Sequence, residues 1–207
     1  MKELHMPTTA LVTGFEPFNG ASLNPSQEIV NELARTGITG IKLHTSVLPC
    51  VFSKASSALL NLIEKIQPDV VIALGQAEGR SQITPEQIAI NLDDARIPDN
   101  QGEKRLNKKI VDDGDDGYFS TLPITEIIDA MNAAGIPTIK SWSAGTFLCN
   151  NVFYSMQHAM RNRSIRSGFI HLPLMRGQES EFPGQPTLEL SLMVKAIDIA
   201  VTVASAR

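Results

Sequence analysis

The chain has 207 residues, a formal net charge of −4, 43% hydrophobic and 19% charged residues, and two cysteines. That length suits one large domain with a substantial core, and the apolar fraction is too high for a disordered chain. The slight acidity gives no general attraction to nucleic acid or anionic lipid, and Cys50 and Cys149 alone cannot staple a scaffold or make a four-thiolate zinc site.

In chain order, residues 1–7 carry too little charge for a targeting segment, and Gly14 and Glu16 interrupt the next apolar run before it could serve as one. No 18 consecutive residues are apolar, so no membrane span is expected and the expected setting is a reducing cytoplasm. Residues 9–13 read as a first strand. Asn24-Pro25-Ser26-Gln27 then offers an N-cap, a proline at the first helical position and a capping-box glutamine, with Ile29, Val30 and Leu33 on one helix face. A strand fits 41–48 and a helix fits 51–66, its stripe being Phe52, Ala55, Leu59, Leu62 and Ile66.

Residues 70–74 are a short, wholly apolar run, the mark of a strand covered on both faces of a parallel sheet. Residues 87–92 alternate like another strand. A helix is expected over 123–134, a strand over 137–141, a helix over 147–161 and a strand over 167–172. A last helix is expected over 187–205, with Leu188, Leu192, Ile199 and Val203 inward. This alternation predicts an α/β fold: a single domain over 1–207 with three αβα layers around a mostly parallel, twisted sheet. Residues 101–117, basic and then acidic, read as a solvated hairpin, and 173–186 as a loop after the last strand.

No phosphate-binding glycine loop, H-E-x-x-H, C-x-x-C or G-x-S-x-G elbow occurs. The histidines His5, His44, His158 and His171 are too scattered to indicate a metal site. Cys149 falls in the first turn of an expected helix, where the dipole and unpaired N–H groups favour a thiolate and can receive an oxyanion. Cys50 reads as a buried or semi-buried thiol. His171, at the end of a strand, is well placed as the imidazole partner, His158 is too far along its helix, and His44 stays open. The group that orients the imidazole could be Glu78, Glu86, Asp93, Asp94 or Asp99, and the residues alone do not choose.

Val12-Thr13-Gly14-Phe15-Glu16-Pro17-Phe18 with Asn24-Pro25-Ser26, Gly75-Gln76-Ala77 running to Ile83-Thr84-Pro85-Glu86, and residues 89–100 form three notable segments. With Ala144-Gly145-Thr146-Phe147-Leu148-Cys149-Asn150 and residues 168–173, they resemble the type I pyroglutamyl peptidases in order and spacing over nearly the whole chain. These are cysteine peptidases that remove an N-terminal pyroglutamate.

The resemblance implies a triad of Cys149, His171 and Glu86, a thioester intermediate, and Arg96 near the nucleophile, aiding the oxyanion. It also implies that Phe15 and Phe18 enclose the lactam ring, that the Gln76 segment reads its polar edge, and that Ile97, Phe147 and Leu148 line the rest. A neutral lactam suits such an apolar pocket. No metal or organic cofactor is implied. The expected partners are pyroglutamylated peptides and further copies of the chain, as a dimer or tetramer, with no nucleic acid and no membrane. Departures from the family pattern are Glu78, Trp142, Asn151 and the run 174–178.

Overall fold

The computed structural model describes residues 7–206; the reading of residues 1–6, His5 included, lies outside the described residues. The central sheet takes β1 (Thr9–Phe15), β2 (Lys42–Leu48), β3 (Val70–Gln76), β4 (Thr84–Pro85) and β7 (Arg166–Leu172) in the order β2-β1-β3-β7-β4. All its pairings are parallel except β4 against β7. Helices α1 (Pro25–Thr36), α3 (Ile124–Ala133) and α5 (Leu190–Ser205) cover one face, and α2 (Ala55–Ile66) and α4 (Leu148–Met160) the other. This is the expected three-layer arrangement.

Strand alternation sorts the side chains between two cores. On β3, Val70, Ile72 and Leu74 face α1, α3 and α5, whereas Val71 and Ala73 face α2 and α4. On β7, Ile170 and Leu172 take the first side and Phe169 the second. Gly75 and His171, opposite each other in the β3–β7 register, therefore both face α4.

Several elements depart from expectation, each for a local reason. Asn24 does cap α1, its side chain accepting from the Ser26 N–H at 3.0 Å, but Gln27 Oε1 is buried without a partner and no reciprocal capping box forms. Helix α2 begins at Ala55, after a turn over 51–54 whose Phe52 N–H donates to Asp99 at 2.8 Å; its buried stripe is Ala55, Leu59 and Ile63. Residues 137–141 run beside 83–87 but hold only two isolated bridges, Ile83 to Thr138 and Glu86 to Ser141. Pro85 has no N–H to continue that ladder.

The expected strand over 87–92 shortens to β5 (Ile88–Ile90), which leaves the central sheet and pairs with β6 (Gly117–Phe119). Within the charged stretch, Arg105 is not merely solvated: it reaches the buried Asp93 at 3.0 Å. Beyond β7, β8 (Leu174–Met175) and β9 (Thr187–Leu188) pair, so residues 187 and 188 precede the last helix. Helix α5 fully buries Met193, Ala196, Ile197, Ala200, Val201 and Ala204, while the expected Leu192, Ile199 and Val203 are half-buried and pack against the same core from its margins. It is apolar nearly all round, so periodicity did not single out a face, and its alanines let it lie close to the sheet. Among the described residues no helix is long and apolar enough to cross a membrane.

Candidate active site

Cys149 is the second residue of α4, after Phe147 as N-cap and Leu148. The first backbone bond of the helix runs from the Asn151 N–H to the Phe147 carbonyl, which leaves the N–H groups of Leu148, Cys149 and Asn150 without helical partners. The sulfur lies against β3 at Gly75, where a Cβ would stand 2.9 Å from Sγ and 2.8 Å from the Phe169 ring. Only glycine allows that approach. His171 sits across from Gly75 on β7, with its ring 4.8 Å from that of Phe169. Among the described residues no hydrogen bond joins the sulfur to the imidazole.

Glu86 comes directly after β4, and its N–H donates to the Phe169 carbonyl at 2.9 Å. This pins the fully buried carboxylate beside β7, and His171 Nδ1 meets Glu86 Oε1 at 2.7 Å. Of the five carboxylates left open by sequence, only Glu86 reaches the imidazole. Glu78 and Asp94 are exposed, Asp93 pairs with Arg105, and Asp99 holds the N–H groups of Phe52, Gln101 and Glu103. His44 lies on β2, at the far edge of the sheet, and His158 meets the Tyr118 hydroxyl at 3.0 Å.

The electrostatics favour a neutral pair. Burial pushes the Cys149 thiol up to about 12, the Glu86 charge adds to this, and Arg80 opposes it. Burial also holds His171 below its ordinary value despite the hydrogen bond and charge of Glu86. For Glu86, burial acts upward, but the His171 hydrogen bond and charge, with the Arg80 charge, outweigh it and keep the carboxyl below its usual range. These shifts favour a thiol, a neutral imidazole and a carboxylate at rest. Sequence reasoning expected the helix N-terminus to favour a thiolate; burial overrides it.

Cys149 opens on a narrow cavity lined by Phe15, Phe18, Asn24, Cys50, Gln76, Phe147 and Leu148. Phe18 and Phe147 face each other with ring centroids 6.1 Å apart. Of the expected substrate-binding residues, Phe15, Phe18, Gln76, Phe147 and Leu148 are brought together. Arg96 is exposed and Ile97 half-buried, and neither lines this cavity.

Sequence reasoning missed several contributors. Cys50 is on the cavity wall, as its place just beyond the carboxyl end of β2 could have signalled. Glu16 Oε1 accepts from the Cys50 N–H and from the Asn100 side chain, both at 2.9 Å, and so gathers three loops. Gln178, in the run that departs from the family pattern, is fully buried. Its Oε1 accepts from the Met175 N–H at 2.9 Å, and its Nε2 donates to the Leu23 carbonyl at 3.3 Å and to Gln76 Oε1 at 3.1 Å. The two backbone partners fix which end is which, so Gln76 turns its oxygen to Gln178 and keeps its own NH₂ as a donor. No sequence signal pairs these glutamines.

Among the described residues no group of three or more His, Cys, Asp or Glu side chains is arranged to hold a metal ion. A family profile described as pyroglutamyl peptidase matches residues 8–207. A pyrrolidone-carboxylate peptidase of Klebsiella pneumoniae (strain 342) is 46% identical over 195 residues, covering 94% of this chain and 91% of that protein. The crystal structure of pyroglutamyl peptidase I from Bacillus amyloliquefaciens superposes with a TM-score of 0.93 at 40% identity, covering 98% of this chain and 97% of that one. The pyrrolidone carboxyl peptidase of Thermococcus litoralis gives a TM-score of 0.91 at 38% identity, over 95% and 93% of the two chains.

Proposed function

Since the chain belongs to the pyroglutamyl peptidase family, we propose that its activity is carried by Cys149 as nucleophile, His171 as general base and acid, and Glu86 as the group that orients the imidazole. The enzyme is a cysteine peptidase that hydrolyses the amide bond after an N-terminal pyroglutamate through a thioester. The observation that carries the assignment is the 2.7 Å contact of His171 Nδ1 with the buried Glu86, at the sheet end where Cys149 meets its cavity.

Glu86 holds the proton on Nδ1, which leaves Nε2 free to take the thiol proton as Cys149 attacks the amide carbon. The unpaired N–H groups in the first turn of α4 receive the oxyanion. His171 then protonates the leaving amine, and a water activated by the same imidazole cleaves the thioester. Phe15, Phe18 and Phe147 enclose the lactam ring. The Gln76 NH₂, oriented through Gln178, donates to the lactam carbonyl. A cavity wall without a carboxylate suits a substrate that lacks an ammonium group.

The 207 residues act as one domain. A reducing cytoplasm fits a nucleophile that must stay a free thiol, and both cysteines are free. A homo-oligomer, dimer or tetramer, fits the exposed side chains of Ile139 and Trp142, which line one surface cleft. Release of a fluorophore from a pyroglutamyl amide, beside a prolyl amide control, tests the reading with wild type and Cys149→Ser. Turnover of the first substrate alone, lost in a folded Cys149→Ser variant, is expected. A Cys149→Ser variant that retains turnover would overturn the assignment.

A further inference from the structure

Behind His171 and Glu86 stands a fourth group that the triad does not include. Arg80 Nη1 lies 2.7 Å from Glu86 Oε1, the same oxygen that His171 Nδ1 contacts, while Glu86 Oε2 has no partner. The same guanidinium donates to the Thr84 hydroxyl and, through Nη2 at 3.1 Å, to the Ser143 carbonyl. Thr84 pairs with His171 across β4 and β7, and Ser143 begins the loop that leads to Phe147 and Cys149. One side chain thus touches the carboxylate, the strand beside the imidazole and the loop before the nucleophile. Its outer side opens on a surface cleft that also includes Trp142 and Lys140.

We propose that Arg80 is a positioning residue of the reaction, a cation that fixes the Glu86 carboxylate behind His171 and sets how strongly that carboxylate attracts a proton onto the imidazole. The inference rests on the catalytic assignment of Cys149, His171 and Glu86. A buried carboxylate facing an imidazole favours the imidazolium, against the burial that favours the neutral ring. A guanidinium on the same oxygen offsets part of that charge. The imidazole stays neutral at rest, and the carboxylate still steadies the imidazolium formed during attack. Arginine suits the place because its planar fork serves Glu86, Thr84 and Ser143 together, which an ammonium cannot.

The charged and titratable groups bearing on His171 and Cys149 are Glu86 from the β4 segment and Arg80 from the turn after β3, both acting on each. Cys50 faces Cys149 from beyond β2, with Glu16 and Asp99 behind it. Arg80 acts to lower both His171 and Cys149, so its loss should move both upward.

The test compares wild type, Arg80→Gln, Arg80→Lys and Glu86→Gln by the pH dependence of kcat and KM on a pyroglutamyl amide, with melting temperatures alongside. In Arg80→Gln, kcat is expected to fall about tenfold or more with KM within about twofold, and the acid limb of kcat/KM to move up by about half to one pH unit. Arg80→Lys should restore the limb toward wild type, because it restores the charge. An unmoved limb in folded Arg80→Gln, whether or not the variant melts earlier, would overturn the proposal. If Glu86→Gln loses activity and Arg80→Gln does not, the proposal alone fails; if Glu86→Gln stays fully active, the triad assignment fails and the proposal with it.

Discussion

Cys149 lies in an apolar cavity wall, close enough to Glu86 for that charge to help keep its proton in place. In the proposed mechanism this favours a thiol that surrenders its proton during attack over a preformed thiolate. Alkylation by iodoacetamide should therefore accelerate with rising pH through neutrality and beyond pH 9, without a plateau at neutral pH, because the thiol is held near 12. On the acid side, the proposed mechanism needs a neutral His171. Burial lowers its pKa, so the neutral form persists below the ordinary histidine range, and kcat/KM should begin to fall only at a pH below about 6.5. A thiolate plateau near pH 7 in the alkylation rate would contradict this account of the resting pair. Cys149 and His171 were legible from their positions at a helix start and a strand end. Glu86 could be chosen among five carboxylates only by family resemblance, since the contact depends on how β4 docks against β7. Gln178 left no trace in the sequence, because its partners are backbone groups and a side chain far along the chain; Arg80 stands only four and six residues from Thr84 and Glu86, but the turn that folds it back onto them carries no local signal.

Elements matter here through where they end. Parallel strands β1, β2, β3 and β7 bring Phe15, the approach to Cys50, Gln76 and His171 to their carboxyl ends, the usual place for a ligand in such a sheet. Gly75 on β3 lets α4 lower its first turn onto the sheet, so Gly75→Ala should displace the sulfur and crowd Phe169. Activity is expected to drop at least about tenfold, with a stability loss of about 1–3 kcal/mol. Turnover and thermal melting of that variant check both parts; unchanged kcat would show that the close approach does not position the nucleophile. The sequence marked most strands and helices because apolar runs and caps are local signals. It overread residues 137–141 as a regular strand and centred the buried face of α5 on residues that lie at its half-buried margins. In the first case a neighbouring proline removed a donor; in the second the helix was too apolar for periodicity to decide.

At the scale of the whole molecule, the site is an assembly of distant pieces. Residues 15 and 18, 50, 76, 86, 149 and 171 meet only when the sheet order β2-β1-β3-β7-β4 is complete and α4 is docked on its face. The layered architecture follows from the alternating pattern, but the site's geometry follows from register. A one-residue slip between β3 and β7 would turn His171 away from α4. In the proposed mechanism this assembly makes a thioester on Cys149, one of two cysteines that line the same cavity. The most direct measurement is rapid acid quenching of the enzyme during turnover of an activated pyroglutamyl ester, followed by peptide mapping by mass spectrometry. One pyroglutamyl group on the peptide that carries Cys149 is the predicted result. An acyl group on the Cys50 peptide instead, or full turnover in Cys149→Ser, would contradict it.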